Sequence, residues 1–93
     1  MFYIITYDIA NDKRRKKLSD LLEGYGVRVN YSVFECELTK TKLKKILQTI
    51  EDEELLDKKL DSFRFYHIHK DSIAKSFEIC KKPQPFEEGV MFF

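Results

Sequence analysis

Val27-Arg28-Val29-Asn30-Tyr31-Ser32-Val33-Phe34-Glu35-Cys36-Glu37-Leu38 is the stretch on which the fold of this chain turns. Its first half alternates with period two: Val27, Val29, Tyr31 and Val33 fall on one side, Arg28, Asn30 and Ser32 on the other, as side chains do along a β-strand. Then the phase flips. From Phe34 onward the apolar set is Phe34, Cys36 and Leu38, with Glu35 and Glu37 opposite. A one-residue slip turns every side chain over, so the break predicts a bulge or sharp bend at residues 32–34 that divides the run into two strand segments.

Toward the N-terminus, Phe2-Tyr3-Ile4-Ile5-Thr6-Tyr7 is aromatic or β-branched almost throughout and reads as a strand buried within a sheet, ended by Asp8. Asn11 or Asp12 can cap a helix whose apolar positions Leu18, Leu21, Leu22 and Tyr25 recur at i, i+3, i+4 and i+7, with Gly26 as its stop. Toward the C-terminus, Thr39 caps a second helix carrying Leu43, Ile46, Leu47 and Ile50, which runs out into the solvated acidic residues 51–54. Residues 62–69, Ser-Phe-Arg-Phe-Tyr-His-Ile-His, read as the last core strand. The order strand, helix, two strands, helix, strand is the α+β, ferredoxin-like βαββαβ plan, with two helices on one face of an antiparallel sheet. Residues 1–70 form this domain. Residues 71–93 are expected to form a C-terminal extension, with a short helix over 73–79, an extended break at Lys81-Lys82-Pro83-Gln84-Pro85, and a terminal Val90-Met91-Phe92-Phe93 expected to pack as an extra strand or tail on a sheet edge or on a partner protomer.

Ninety-three residues suit one core. With 43% apolar and 35% charged residues the composition is that of a globular chain. No apolar run approaches the roughly 20 residues of a membrane span, and no basic segment precedes the first one. A cytoplasmic protein without a membrane partner is expected, with Cys36 and Cys80 as reduced thiols. The net charge of +1 conceals an asymmetry. Residues 1–45 hold ten Lys/Arg against six Asp/Glu, while residues 46–93 hold seven against ten. The excess lies in Lys13-Arg14-Arg15-Lys16-Lys17, followed by Arg28, Lys40, Lys42, Lys44 and Lys45, and points to a polyanionic partner.

Five cations opening a helix oppose its dipole and require compensation. Helical phase carries Arg14 and Arg15 over the sheet rim near Asp8, where free N–H groups and guanidinium forks suit a phosphate, although most charge runs are merely solvated. Asp8 is an acid at the carboxyl end of an apolar strand, where turn capping competes with ligand binding. One carboxylate is a poor Mg²⁺ site, but a two-fold axis near Asp8 in a homodimer would supply a second. His67 and His69, with Cys36 or Cys80, lack zinc-ligand spacing. Tyr7, Tyr31, Phe34 and Tyr66 could stack on bases, but aromatic residues in a small sheet are more often core.

Tyr7-Asp8-Ile9 with Asn11-Asp12-Lys13-Arg14-Arg15, then Tyr25-Gly26-Val27-Arg28-Val29-Asn30-Tyr31-Ser32-Val33-Phe34-Glu35-Cys36, closely resembles the small CRISPR-associated family of spacer acquisition, the second universal Cas protein. The resemblance covers residues 1–69. It implies a ferredoxin-like homodimer that associates with the larger Cas integrase subunit and carries foreign DNA for insertion into the repeat array. It also implies Mg²⁺-dependent endonuclease activity on single-stranded RNA or double-stranded DNA. By resemblance Asp8 is the metal-binding and catalytic acid, Arg15 and Arg28 are catalytic basic residues at the phosphodiester site, and Ser32 and Phe34 belong to the nucleic-acid-binding Tyr-Ser-Val-Phe motif. Lys13, Arg14, Lys16 and Lys17 join Arg15 and Arg28 as nucleic-acid contacts. Lys17 stands where some relatives carry arginine and lacks the bidentate fork. The alternative is a non-catalytic ferredoxin-like RNA-binding or regulatory module.

Overall fold

The computed structural model describes residues 1–80. Its elements run β1 (Phe2–Asp8), α1 (Asp12–Glu23), β2 (Gly26–Asn30), β3 (Val33–Glu37), α2 (Lys40–Asp52), β4 (Ser62–Ile68) and a short α3 (Lys70–Ala74). The strands form one sheet in the order β2-β3-β1-β4, and each neighbouring pair is antiparallel. This is the ferredoxin-like plan read from the sequence. Ile5 and Tyr7 of β1 and Phe34 and Cys36 of β3 are buried with Leu18 and Leu22 of α1 and Ile46 and Ile50 of α2. Both helices therefore cover the same face of the sheet. No helix among the described residues is long and apolar enough to cross a membrane.

The break in alternation is resolved differently from the expectation. In the β2–β3 register Arg28 faces Phe34 and Asn30 faces Val33, so the extra residue is Val29 and the bulge falls between Arg28 and Asn30 rather than at 32–34. Arg28 consequently lies on the helix side, with its guanidinium carbon 5.4 Å from the centre of the Phe34 ring. Val27, opposite Glu35, looks outward and is 66% exposed.

Asn11 is the N-cap of α1, accepting a 3.0 Å hydrogen bond from the Arg14 N–H, a contact of about 1 kcal/mol. The helix ends at Glu23, short of Tyr25. Gly26 is not its stop: it is already the first residue of β2, paired with Cys36, and a Cβ there would collide with Cys36 Sγ and the Glu35 carbonyl oxygen. Burial pushes the Cys36 thiol up to about 11. Cys80, by contrast, is exposed.

Thr39 caps α2 through the Lys42 N–H at 3.1 Å. Its apolar stripe is narrower than expected, because Leu47 is half exposed. The helix closes with Glu54 at φ 50°, the Glu54 N–H donating to the Glu51 carbonyl and the Leu55 N–H to the Ile50 carbonyl. This is a Schellman closure, and it drives Leu55 into the core. His69 does not extend β4. It caps α3, its Nδ1 accepting from the Asp71 N–H at 3.2 Å, so the short helix occupies Lys70–Ala74 and not residues 73–79. The readings made for residues 81–93 lie outside the described residues.

Candidate nucleic-acid interface

Alternation along β1 separates two surfaces. Tyr3, Ile5 and Tyr7 pack under the helices, so Phe2, Ile4, Thr6 and Asp8 belong to the open face, with Val33, Glu35 and Glu37 of β3 and Ser62, Arg64, Tyr66 and Ile68 of β4. Asp8 is exposed at the end of this row, opposite Ser62. Among the described residues no group of three or more His, Cys, Asp or Glu is placed to hold a metal ion. Asp8 thus belongs to no such group within one copy of the chain. His67 is on the helix side of β4, its ring 5.2 Å from that of Tyr3 at the other end of β1. It is remote from Asp8 along the strand.

The second surface is a cleft of about 480 Å³ between α1 and the β2–β3 turn, lined by Tyr7, Asp12, Arg15, Lys16, Ser19, Asp20, Glu23, Arg28, Tyr31 and Ser32. Arg15 donates to the Ile9 carbonyl at 2.8 Å and pairs with Asp12. Arg28 donates to the Ser19 hydroxyl and pairs with Glu23 at 2.8 Å. Tyr7 donates to the Tyr31 carbonyl at 3.3 Å, and burial raises its pKa. The cleft thus collects Arg15, Arg28 and Ser32, but Asp8 faces the other way.

Residues 1–76 match the family described as CRISPR associated protein Cas2. The chain belongs to the Cas2 family. A relative named CRISPR-associated endoribonuclease Cas2 3, from Synechocystis sp. PCC 6803, is 52% identical over 66 residues, covering 71% of this chain and 70% of that one. CRISPR-associated endonuclease Cas2 2 of Thermus thermophilus is 42% identical over 66 residues, 71% of each chain. Among solved structures, Streptococcus pyogenes Cas2 at pH 6.5 superposes with a TM-score of 0.72 at 30% identity, covering 86% of this chain and all of that one. A chain of a partial Cas6-RT-Cas1–Cas2 complex gives 0.63 at 39% identity, covering 88% of each.

Within this Cas2 chain the basic run divides by role. Arg14 is bound to Asp61 at 2.8 Å, and the Asp61 carboxylate, whose side chain is 1% exposed, also accepts from the N–H groups of Ala10 at 2.9 Å and Asp57 at 2.8 Å. Those two backbone donors, and then Arg14, hold its carboxyl down at about 2. Arg14 is therefore a fastening between the β1–α1 loop, α1 and the loop before β4. Lys16 pairs with Asp20 at 3.0 Å. Lys13 and Lys17 are exposed, with no acidic partner among the described residues. The dipole compensation expected of a phosphate at Arg14 and Arg15 is supplied by Asp12 and Asp61. Phe34 is fully buried and offers no surface to a base; it is the platform beneath Arg28. Of the aromatics considered for stacking, Tyr7 and Phe34 are core while Tyr31 and Tyr66 are exposed. Sequence reasoning missed Asp61, Ser19 and Glu23. For Glu23 the signal was present: an acid in the last turn of a helix opposes the dipole and implies a nearby cation.

Proposed function

We propose that this Cas2 chain is a homodimeric, cytoplasmic nucleic-acid-binding subunit that works with the Cas integrase in spacer acquisition, and that two Asp8 carboxylates give it a metal-dependent phosphodiesterase capacity. The observation that carries the reading is the division of β1, with a face of mixed apolar and charged residues ending in Asp8 on one side and an arginine-lined cleft on the other. Phe2, Ile4, Val27, Val33 and Ile68 leave on the open face an apolar surface that a second copy would cover. Names of relatives that include endoribonuclease and endonuclease, and the complex with Cas1, support the activity and the partner.

Magnesium is held by oxygen ligands, commonly one or two carboxylates with waters and substrate phosphate oxygens. Asp8 of one copy does not fill that set; Asp8 of two copies with a bound phosphodiester fits it. Bound there, the ion would polarise the phosphodiester and lower the pKa of a water molecule. Arg15 and Arg28 would offset charge on phosphate oxygens along the strand, and Lys13 and Lys17 would hold duplex DNA or single-stranded RNA through the backbone without reading bases. Among the described residues both histidines lie toward the far end of β4 from Asp8, so neither serves it as a general base, which favours nucleic-acid organisation as the leading role over rapid cleavage.

Asp8→Ala, assayed for Mg²⁺-dependent cleavage and for spacer insertion with the integrase, is expected to lose cleavage and retain insertion. Unchanged cleavage would remove Asp8 from the reacting centre. Light scattering is expected to give twice the chain mass for the wild type and the single-chain mass for Ile4→Lys; a monomeric wild type would refute the paired-acid arrangement.

A further inference from the structure

Every cation lining the cleft already has an acid of the same cleft against it. Arg15 has Asp12, Lys16 has Asp20 and Arg28 has Glu23, three positive charges against three negative. A surface whose purpose is to attract phosphate would ordinarily carry surplus positive charge. Here the surplus sits outside the cleft, on Lys13 and Lys17, while the cleft itself is self-neutralised.

The acids are of two physical kinds. Asp61, on Arg14, is enclosed and anchored by two backbone N–H groups. Glu23 is 52% exposed and Asp20 59%, and among the described residues neither carboxylate is anchored by a hydrogen bond or ion pair beyond the one to its cation. Arg28, by contrast, is 16% exposed and is held by the Phe34 ring and the Ser19 hydroxyl as well as by Glu23. The arginine is therefore fixed and its carboxylate is loose. Glu23 also ends α1, whose last turn has no basic residue, so it lies at the negative end of the dipole and nothing in the helix favours an acid there. Its one evident function is to occupy Arg28.

We infer that Glu23 is a displaceable counter-ion that masks Arg28 until a nucleic-acid phosphate takes its place, so that the cleft binds polyphosphate strands by exchange rather than by simple attraction. Guanidinium accepts phosphate and carboxylate through the same fork, which makes the substitution stereochemically direct. The exchange also selects. A lone anion replaces one carboxylate at little net gain, whereas a strand delivers several phosphates at once and collects the additional attraction of Lys13 and Lys17. The inference rests on the proposed nucleic-acid-binding role and supplies its specificity.

The test is Glu23→Gln, which keeps the shape and removes the charge, titrated with a short labelled DNA duplex across a range of NaCl concentrations beside the wild type, Arg28→Gln and the double variant. Melting curves confirm that each variant is folded. Glu23→Gln is expected to bind about two- to five-fold tighter at low salt, the range carried by a half-exposed ion pair. Because no carboxylate then has to regain a counter-ion, the plot of log K against log salt steepens by about one. In the Arg28→Gln background the gain disappears. Equal or weaker binding by Glu23→Gln, or a gain that survives without Arg28, overturns the inference. A duplex bound alike by both proteins removes only this inference; one bound by neither removes the nucleic-acid-binding role as well.

Discussion

Replacing Glu54 with glycine will stabilise the fold. Glu54 stands at φ 50° just past the end of α2, where the Schellman closure needs a left-handed residue. A side chain with a Cβ is disfavoured there by roughly 1–2 kcal/mol, which glycine avoids. Glycine gives back about 0.5–1 kcal/mol through the greater freedom of its unfolded chain. Glu54 also adds a negative charge to the negative end of the helix, beside Glu51, Asp52 and Glu53, and its removal contributes a further ~0.3–1 kcal/mol. The net expectation is a gain of about 1 kcal/mol, or some 4–8 °C in melting temperature for a domain of this size. Thermal unfolding followed by far-ultraviolet circular dichroism, at low and high salt, measures it. Glu54→Ala separates the two causes, because it removes the charge but keeps the Cβ, and its smaller gain is expected to shrink as salt rises. An alanine variant as stable as the glycine variant would refute the backbone argument, and a glycine variant less stable than wild type would refute the whole of it.

Two further outcomes follow from the division of the basic run. The Asp61 carboxyl titrates at about 2 in the folded chain, against an ordinary value near 3.8. Its stabilisation is therefore complete above the unfolded value and is lost as pH falls through the folded one, so urea midpoints of wild type and Asp61→Asn should converge between about pH 4 and pH 2. Lys13→Gln with Lys17→Gln should weaken duplex binding and flatten its salt dependence by about two, with melting unchanged, whereas Arg14→Gln should lower the melting temperature and leave the salt slope as it was. A binding defect confined to Arg14→Gln would reverse the assignment of fastening and contact.

The strands and helices were legible because their signals are local. Leu18 and Leu22, Ile46 and Ile50, and the unbroken aromatic and β-branched run of β1 each declare a buried face within one or two turns of chain. The facing of β2 was not legible. An arginine between two valines reads as the solvent side of a strand, yet Arg28 turns inward because Phe34, Ser19 and Glu23 arrive from two other elements to receive it, and the bulge at Val29 lets it do so. For the same reason the basic run resembled one patch. Arg14 and Lys17 differ in function through Asp61, which is 47 residues from Arg14 in sequence. The grouping of Arg15, Arg28 and Ser32 was recoverable from motif resemblance, and their separation from Asp8 from nothing more than the opposite facing of Tyr7 and Asp8 on one strand.

The close approach of Gly26 to Cys36 has a practical use. The Cys36 sulfur is sealed beneath β2 and its thiol is pushed well above neutrality, whereas Cys80 lies open to solvent. Since the thiolate is the species that alkylating reagents consume, a maleimide dye offered to the native protein will attach at one position, and the wild-type sequence thereby comes equipped with a site-specific handle for following its assembly and its journey onto nucleic acid by fluorescence.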